Sequence, residues 1–294
     1  FTIILIDQST KNQFRIFCKE NNIQDMEVAV KYFIVFGGLD IKIDTTKPLL
    51  ELIEKHILDD YTDLKYEITT ICGGYKVDQA ILTGIAQGDR RTTTSFKRAF
   101  VSFEEGSRCI EKIIDRGIIE IESSQHHLAK KRGDDKIAKK LLFTAPFLRF
   151  WFAFVSPIYK GIKEKNYKEF FELYENKEAE FGNFVFEELA MECLRDTFTD
   201  DPIKQFGRYW DDKYEIDLVA KTISGKIIAG NCKYITSKLK KNELNKLKDD
   251  STSIDLNPDI LVLFSKNGFS NELKSQKSET LRLFTTKSFK LLLA

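Results

Sequence analysis

The sequence predicts a mixed α/β (α+β) protein, in which a helical lead-in precedes a sheet flanked by helices. Apolar residues recur at helical spacing over residues 26–36 and 49–58, and a Gly-Gly pair ends the first of these segments. Further along, FGNFVFEELAMECLRDTF is typical of an amphipathic helix. After it come segments typical of two strands (EIDLVA, KIIAGNC), a charged helix and two more strands (DILVLFS, TLRLFTT). This order implies a mixed sheet covered by helices.

The composition limits the classes of function. The chain has 294 residues, enough for two or three domains, and 42% of them are hydrophobic. Lys and Arg number 46 and Asp and Glu number 45. Net charge therefore does not indicate a strongly basic nucleic-acid-binding protein, and any contact with DNA has to come from local patches.

The sequence also predicts a cytoplasmic protein. No stretch approaches the roughly 18 apolar residues that a membrane-spanning helix needs, and no secretory signal pattern opens the chain. No membrane partner is therefore expected. The five cysteines are scattered without a CxxC pair, so neither a zinc site nor a disulfide framework is expected. Reduced thiols fit the cytoplasm.

Four segments are predicted along the chain. Residues 1–75 form a helical lead-in, and residues 76–143 have the order of a winged helix-turn-helix: helices, a strand (IIEIE), a polar loop and a second strand (LLF). Residues 144–180 form an aromatic helical linker, in which FLRFWFAFV is expected to pack in the interior. Residues 181–294 form the α/β unit.

The polar loop of residues 76–143 would be a basic wing suited to DNA phosphates. The wing residues are Lys130, Lys131, Arg132, Lys136, Lys139 and Lys140. The helical part adds Arg91, Lys97 and Arg98 as candidate DNA contacts. A solvated hairpin without a ligand is the alternative.

Polar residues alternate along the two strands before and after Ile223-Ser224-Gly225. If those residues form a three-residue loop with Gly225 in the left-handed region, Asp217 faces Asn231 and Glu215 faces Lys233. All four side chains then share one face of the sheet. A two-residue loop would shift the pairing by one and scatter them.

Such a cluster suits hydrolysis of a phosphodiester. The three candidate ligands for Mg²⁺ are Asp217, Glu215 and Asn231, since Mg²⁺ prefers oxygen ligands. Lys233 would position water or offset developing charge, and Glu187 or Glu188 on the preceding helix would complete the outer shell. The alternative is a salt-bridged, exposed sheet face without catalytic function.

Several quoted segments resemble one family. FGNFVFEELA, GRYWDDKYEIDLVA, KIIAGNCKY and VLFSKNGF, with the upstream TAPFLRFWFAFVSP and FGGLD, are similar to the C-terminal domain of unknown function of archaeal-type P-loop ATPases. That resemblance covers about half the chain and implies a PD-(D/E)XK nuclease-like (restriction-endonuclease-like) fold. It assigns Asp217 to the PD acid, Lys233 to the ExK lysine and Glu187 to the acid of the first helix. Asn231 stands where the family has Glu, so weak binding of Mg²⁺ is expected.

No GxxxxGK[ST] occurs in the sequence, so no ATP site is expected, and FTIILI would be at most a remnant of an ATPase module. A separate ATPase chain is therefore a possible partner, besides double-stranded DNA. Three functions stay open: a DNA-binding protein with a degenerate, weakly active or inactive nuclease-like domain, a Mg²⁺-dependent endonuclease using Asp217, Glu215 and Lys233, and a protein-interaction scaffold left from an ATPase.

Overall fold

The computed structural model of the protein describes residues 8–129 and 137–294. Two compact units make up this part of the chain. The helical unit comprises residues 8–24, Lys31–Glu122 and Ala138–Glu178, and the sheet unit comprises Asp25–Val30, residues 123–129 and 137, and Ala179–Ala294. The predicted boundaries at residues 75 and 143 both lie inside the helical unit.

Helices α1 to α9 precede the long helix α10. They are α1 (Thr10–Glu20), α2 (Met26–Phe36), α3 (Leu49–Ile53), α4 (Tyr61–Cys72), α5 (Lys76–Gln87), α6 (Thr92–Ala99), α7 (Phe103–Asp115), α8 (Pro146–Phe150) and α9 (Tyr159–Lys163). Wider π-helical turns extend α3 over Glu54–Leu58 and α8 over Trp151–Val155. The Ser9 and Ser102 hydroxyls accept backbone N–H groups and so begin α1 and α7.

The aromatic segment after residue 146 lies in the core of the helical unit. Phe147, Phe150, Phe152 and Phe154 are all buried. The Phe150 ring contacts the Phe154 ring at 5.3 Å between centroids. The prediction that this segment packs in the interior is therefore confirmed.

A single helix, α10 (Lys168–Thr197), runs through the predicted boundary near residue 180, and the division between the two units falls within this helix, between Glu178 and Ala179. The charged run that was expected to be a linker continues without interruption into the helix that leads the α/β unit. The segment contains no proline, and its one glycine, Gly182, does not stop the helix.

Helices α5, α6 and α7 are followed by two antiparallel strands, β1 (Ile119–Glu122) and β2 (Lys140–Phe143). Arg91, just before α6, forms an isolated bridge with Lys140. Lys140 is buried in β2, so the prediction that it belongs to a basic wing is wrong. The pairing of β2 with β1 determines the position of Lys140 and keeps it away from solvent.

The start of the predicted wing loop belongs to the sheet unit. The Gln125 N–H donates to the Arg208 carbonyl at 2.9 Å, and the Ser124 hydroxyl donates to the Trp210 carbonyl at 2.8 Å. These bonds satisfy backbone groups at the edge of the sheet. The four basic positions Lys130, Lys131, Arg132 and Lys136 lie outside the described residues.

The sheet unit contains a five-stranded sheet in the order β3-β4-β5-β6-β7. Its strands are β3 (Ile203–Trp210), β4 (Glu215–Thr222), β5 (Ile227–Lys233), β6 (Ile260–Ser265) and β7 (Leu281–Thr285). The pairs β3-β4 and β4-β5 are antiparallel, whereas β5-β6 and β6-β7 are parallel. The predicted mixed sheet is confirmed, although β3 was not predicted.

Helices cover both faces of this sheet. Leu244 and Leu247 of α11 (Lys241–Ser253) belong to one apolar cluster with Val219 and Ala229. Elsewhere in the unit, Phe289 contacts both Phe264 of β6 and Phe186 of α10 through ring pairs. A short helix, α12 (Asn271–Lys274), and a C-terminal 3₁₀ helix (Thr286–Leu293) complete the unit.

No helix in the described ranges is both long and apolar enough to cross a bilayer.

Candidate functional site

The β4-β5 hairpin positions the candidate site. Leu218 lies opposite Gly230 and Ala220 opposite Ile228, which is the register expected from a three-residue loop. Gly225 has a φ of +95°, a left-handed conformation that glycine adopts without steric cost. The turn that the sequence predicts therefore determines which side chains of the two strands lie together.

A bulge in β4 lies at the site. Gly207 pairs with Val219, but Tyr209 pairs with Ile216, so that Asp217 and Leu218 together lie opposite Arg208. A β-bulge bends a strand and re-aims its side chains, and bulges are over-represented beside active sites. The sequence could not predict this bulge, because β3 itself was not predicted.

The Asp217 carboxylate contacts the neighbouring strand. Its Oδ2 accepts a hydrogen bond from the Cys232 N–H at 2.8 Å. Burial raises the pKa of the Asp217 carboxyl above its ordinary value, while the Lys233 ammonium and the Cys232 N–H act in the opposite direction. Glu215 raises this pKa further. The acid and the ammonium are thus close enough to influence each other.

Asn231 carries an unsatisfied oxygen. Its side chain is only 4% exposed, and its Oδ1 atom has no hydrogen-bond partner among the described residues. Leaving a buried acceptor unpaired costs about 1–3 kcal/mol. This oxygen is therefore available to a cation or to a donor from a ligand.

The predicted outer-shell acid is engaged in a buried ion cluster. Glu187 Oε2 lies 3.4 Å from Arg208 Nε, and Arg208 is 1% exposed. Glu187 Oε1 accepts from Asn183 Nδ2 at 2.6 Å, and Glu188 also pairs with Arg208. The Arg208 guanidinium thus forms ion pairs with both acids proposed for the outer shell of a metal.

Arg208 is the site residue to which the sequence assigned no role. It lies in the GRYW segment, directly before Tyr209 and Trp210, and no local pattern of the sequence indicates that it is buried. Its partners lie on α10, and only the fold brings α10 to β3.

The described residues offer few donor atoms for a divalent cation. Within residues 8–129 and 137–294, no group of three or more His, Cys, Asp or Glu side chains could hold a metal ion. Asp217 provides one carboxylate and Asn231 one neutral oxygen. Mg²⁺ is often held by one or two carboxylates with several waters, and these two residues offer no more than that minimum.

The described candidate DNA contacts lie around α6. Lys97 and Arg98 are exposed in its last turn. Arg91 lies just before the helix, and its Nε is 3.7 Å from Asp89 Oδ2.

One prediction concerns the ionisation of Asp217. A carboxyl whose pKa is raised by folding contributes most to stability at low pH, and that contribution is lost as pH rises through the folded value. We therefore expect Asp217→Asn to raise the free energy of unfolding at neutral pH by about 1 kcal/mol. The asparagine oxygen can still accept from Cys232.

Urea unfolding across pH checks this expectation. The difference in the free energy of unfolding between the variant and the wild type should decrease as pH falls toward 3.8, the ordinary pKa of an aspartate. At that pH the aspartic acid of the wild type becomes neutral, like the asparagine of the variant. A variant less stable than the wild type at neutral pH would contradict the direction of the pKa shift.

Comparison with known proteins relates the site to a family. No curated protein and no solved structure matches the chain. The model of a family described as archaeal and bacterial proteins of unknown function (DUF234) matches residues 151–247. The matched segment, about a third of the chain, contains α10 and strands β3, β4 and β5, and hence every residue of the site. What the chain resembles there is a domain to which the family description assigns no activity.

Proposed function

We propose that the protein binds double-stranded DNA and that its sheet unit is a degenerate PD-(D/E)XK nuclease-like domain, with weak cleavage or none. One observation supports this proposal: the Asp217 carboxylate accepts a hydrogen bond from the Cys232 N–H, between Asn231 and Lys233 of β5, with an amide where the resemblance implies a glutamate.

The residues of the site suggest how a phosphodiester would be held. Asp217 and the free Asn231 oxygen would hold Mg²⁺, which would supply Lewis-acid polarisation of the phosphate. Lys233 would orient a water molecule or offset negative charge developing on the phosphate.

Two features of the same site argue for slow chemistry. Asn231 offers an oxygen without charge, so it attracts a divalent cation less than a glutamate would. Glu187 is already paired with Arg208 and would have to leave that ion pair to contact a metal-bound water. Affinity for the metal should therefore be low.

The second candidate function is a Mg²⁺-dependent endonuclease in which Glu215 replaces the missing acid. The influence of Glu215 on the pKa of Asp217 favours it, since that influence requires proximity. Glu215 is exposed, so it could turn toward a metal held by Asp217.

DNA binding is proposed for the basic residues of the segment 76–143. The order α5, α6, α7, β1, β2 is that of a winged helix, which agrees with a DNA-binding role without showing it. In such a unit, basic residues of the loop between the strands contact phosphates.

Salt dependence tests this part of the proposal. Binding to a duplex should weaken steeply with salt, with a slope of log K against log salt of about −0.9 for each neutralised phosphate. Replacing the four loop residues Lys130, Lys131, Arg132 and Lys136 by alanine should reduce the magnitude of this slope by about 3.6.

A matched control replaces four exposed lysines of the sheet unit by alanine. These are Lys274, Lys277, Lys287 and Lys290. This control has the same net charge as the loop variant and should keep the wild-type slope. Equal slopes for all three proteins would remove the loop from the DNA-binding surface.

A further inference from the structure

Two large aromatic side chains face solvent on the surface formed by α6, α7 and the turn between them, here called the α6–α7 surface (residues 92–115). Phe100 is 96% exposed and Phe103 is 67% exposed. Aromatic residues contribute most of the apolar area buried in protein cores and interfaces. A pair of them left in water marks a surface suited to a partner.

Phe100 occupies a position that favours glycine. It follows the last residue of α6 with a φ of 56° and a ψ of 38°, in the left-handed region. The Val101 N–H donates to the Phe96 carbonyl at 3.1 Å, as in helix ends that carry glycine at this point. Within the isolated chain, Phe100 has an unfavourable backbone conformation, and its side chain has almost no burial to offset that cost.

Phe103 is held in place from below. Its ring packs edge-on against Phe96, with 5.7 Å between centroids, and Phe96 is buried. Gly106 leaves room for the Phe96 ring, because a Cβ there would lie 2.6 Å from that ring. Phe103 is therefore partly anchored, which reduces the entropy lost when a partner binds.

The charged side chains of the α6–α7 surface balance one another. Four are basic (Lys97, Arg98, Arg108, Lys112) and four are acidic (Glu104, Glu105, Glu111, Asp115). In the part of the chain that the structure describes, none of the eight has an ion-pair partner. DNA would favour a net positive surface, whereas a balanced surface can complement itself.

The order of these charges suits a two-fold contact. Lys97 and Arg98 precede the aromatic turn, and Glu104 and Glu105 follow it. In a two-fold interface, residue i of one subunit contacts residue j of the other and the reverse. The basic pair of each copy would then face the acidic pair of the other, around a centre formed by Phe100 and Phe103.

We propose that the α6–α7 surface is the interface of a homodimer, with the two phenylalanines at its centre and the charge pairs at its rim. This inference goes beyond the proposed function and does not depend on the site in the sheet unit. It places Lys97 and Arg98 between the two copies, so that DNA contact would rest on Arg91 and the loop residues.

The first test measures the mass of the full chain by sedimentation from micromolar to near-millimolar concentration. The wild type should form a dimer as concentration rises, and Phe100→Gly should raise the dimer dissociation constant about tenfold or more. Glycine suits the left-handed backbone, so this variant should fold at least as well as the wild type. Tyr66→Ser removes another exposed aromatic side chain and should leave the dimer unchanged.

The second test exchanges the charges. A variant with Lys97→Glu and Arg98→Glu, and another with Glu104→Lys and Glu105→Lys, should each remain monomeric because like charges would meet. Mixing the two variants should restore a dimer, since one surface is then acidic and the other basic. The two-fold pairing predicts this rescue on mixing, and a general loss of folding cannot produce it.

A wild type that stays monomeric throughout, or a dimer that survives Phe100→Gly and both charge exchanges, would overturn the proposal. Duplex binding by a monomer, lost in the Lys97→Glu and Arg98→Glu variant, would assign the surface to DNA instead. Failure of the wild type to bind DNA would remove the proposed function and leave the dimer test unaffected.

Discussion

Asn231→Glu is expected to raise Mg²⁺-dependent cleavage of plasmid DNA by on the order of 100-fold over the wild type. The substitution adds a charged oxygen beside Asp217, where the wild type offers only the unpaired amide oxygen. A second carboxylate binds Mg²⁺ more strongly and leaves Lys233 in place. The measurement is the rate at which supercoiled plasmid is nicked across a range of Mg²⁺ concentrations.

Asn231→Gln is the matched control for this experiment. Glutamine has the size of glutamate without its charge, so its cleavage rate should remain at the wild-type level. Adding Asp217→Ala to the Asn231→Glu variant should abolish the gain. If the Glu and Gln variants cleave equally slowly, the missing charge is not what limits the site.

Arg208→Met is expected to lower the free energy of unfolding by about 3–5 kcal/mol. Removing the guanidinium leaves two carboxylates, Glu187 and Glu188, without the cation that compensates them in the interior. Methionine keeps much of the apolar contact of the arginine stem. Urea unfolding of wild type and variant at neutral pH measures the change.

The control is Arg195→Met, which removes an arginine from the same unit. Arg195 pairs with Glu192 at 3.4 Å, but its side chain is 52% exposed, so the loss should stay within about 1 kcal/mol. If the two substitutions lower the free energy of unfolding by similar amounts, burial of the Arg208 cluster does not increase its contribution to stability.

Local patterns of the sequence predicted the hairpin at the centre of the site. Gly225 and the alternation around it predicted a three-residue loop as one of two alternatives, and that loop has the register of Leu218 against Gly230 that the structure shows. These features depend only on residues close in sequence. The aromatic segment before α9 was likewise predicted to be interior, because few other positions suit so many rings.

Features that depend on distant partners could not be predicted in this way. Strand β3 carries Lys204, Gln205 and Arg208 among apolar residues, a pattern that suggests an exposed segment. Arg208 is nevertheless buried, since the acids that neutralise it lie about twenty residues earlier on α10. The prediction for Lys140 was wrong for the same reason: Lys140 lies opposite Glu122 in the pairing of β2 with β1, and it is buried there despite its charge.

The most direct test of the central claim follows wild-type protein and duplex DNA in Mg²⁺, with binding and strand cleavage measured on the same samples. A degenerate site predicts salt-sensitive binding with cleavage far below that of the Asn231→Glu variant. Wild-type cleavage as fast as that variant, and lost in Asp217→Ala, would contradict it and show that the amide does not impair the site.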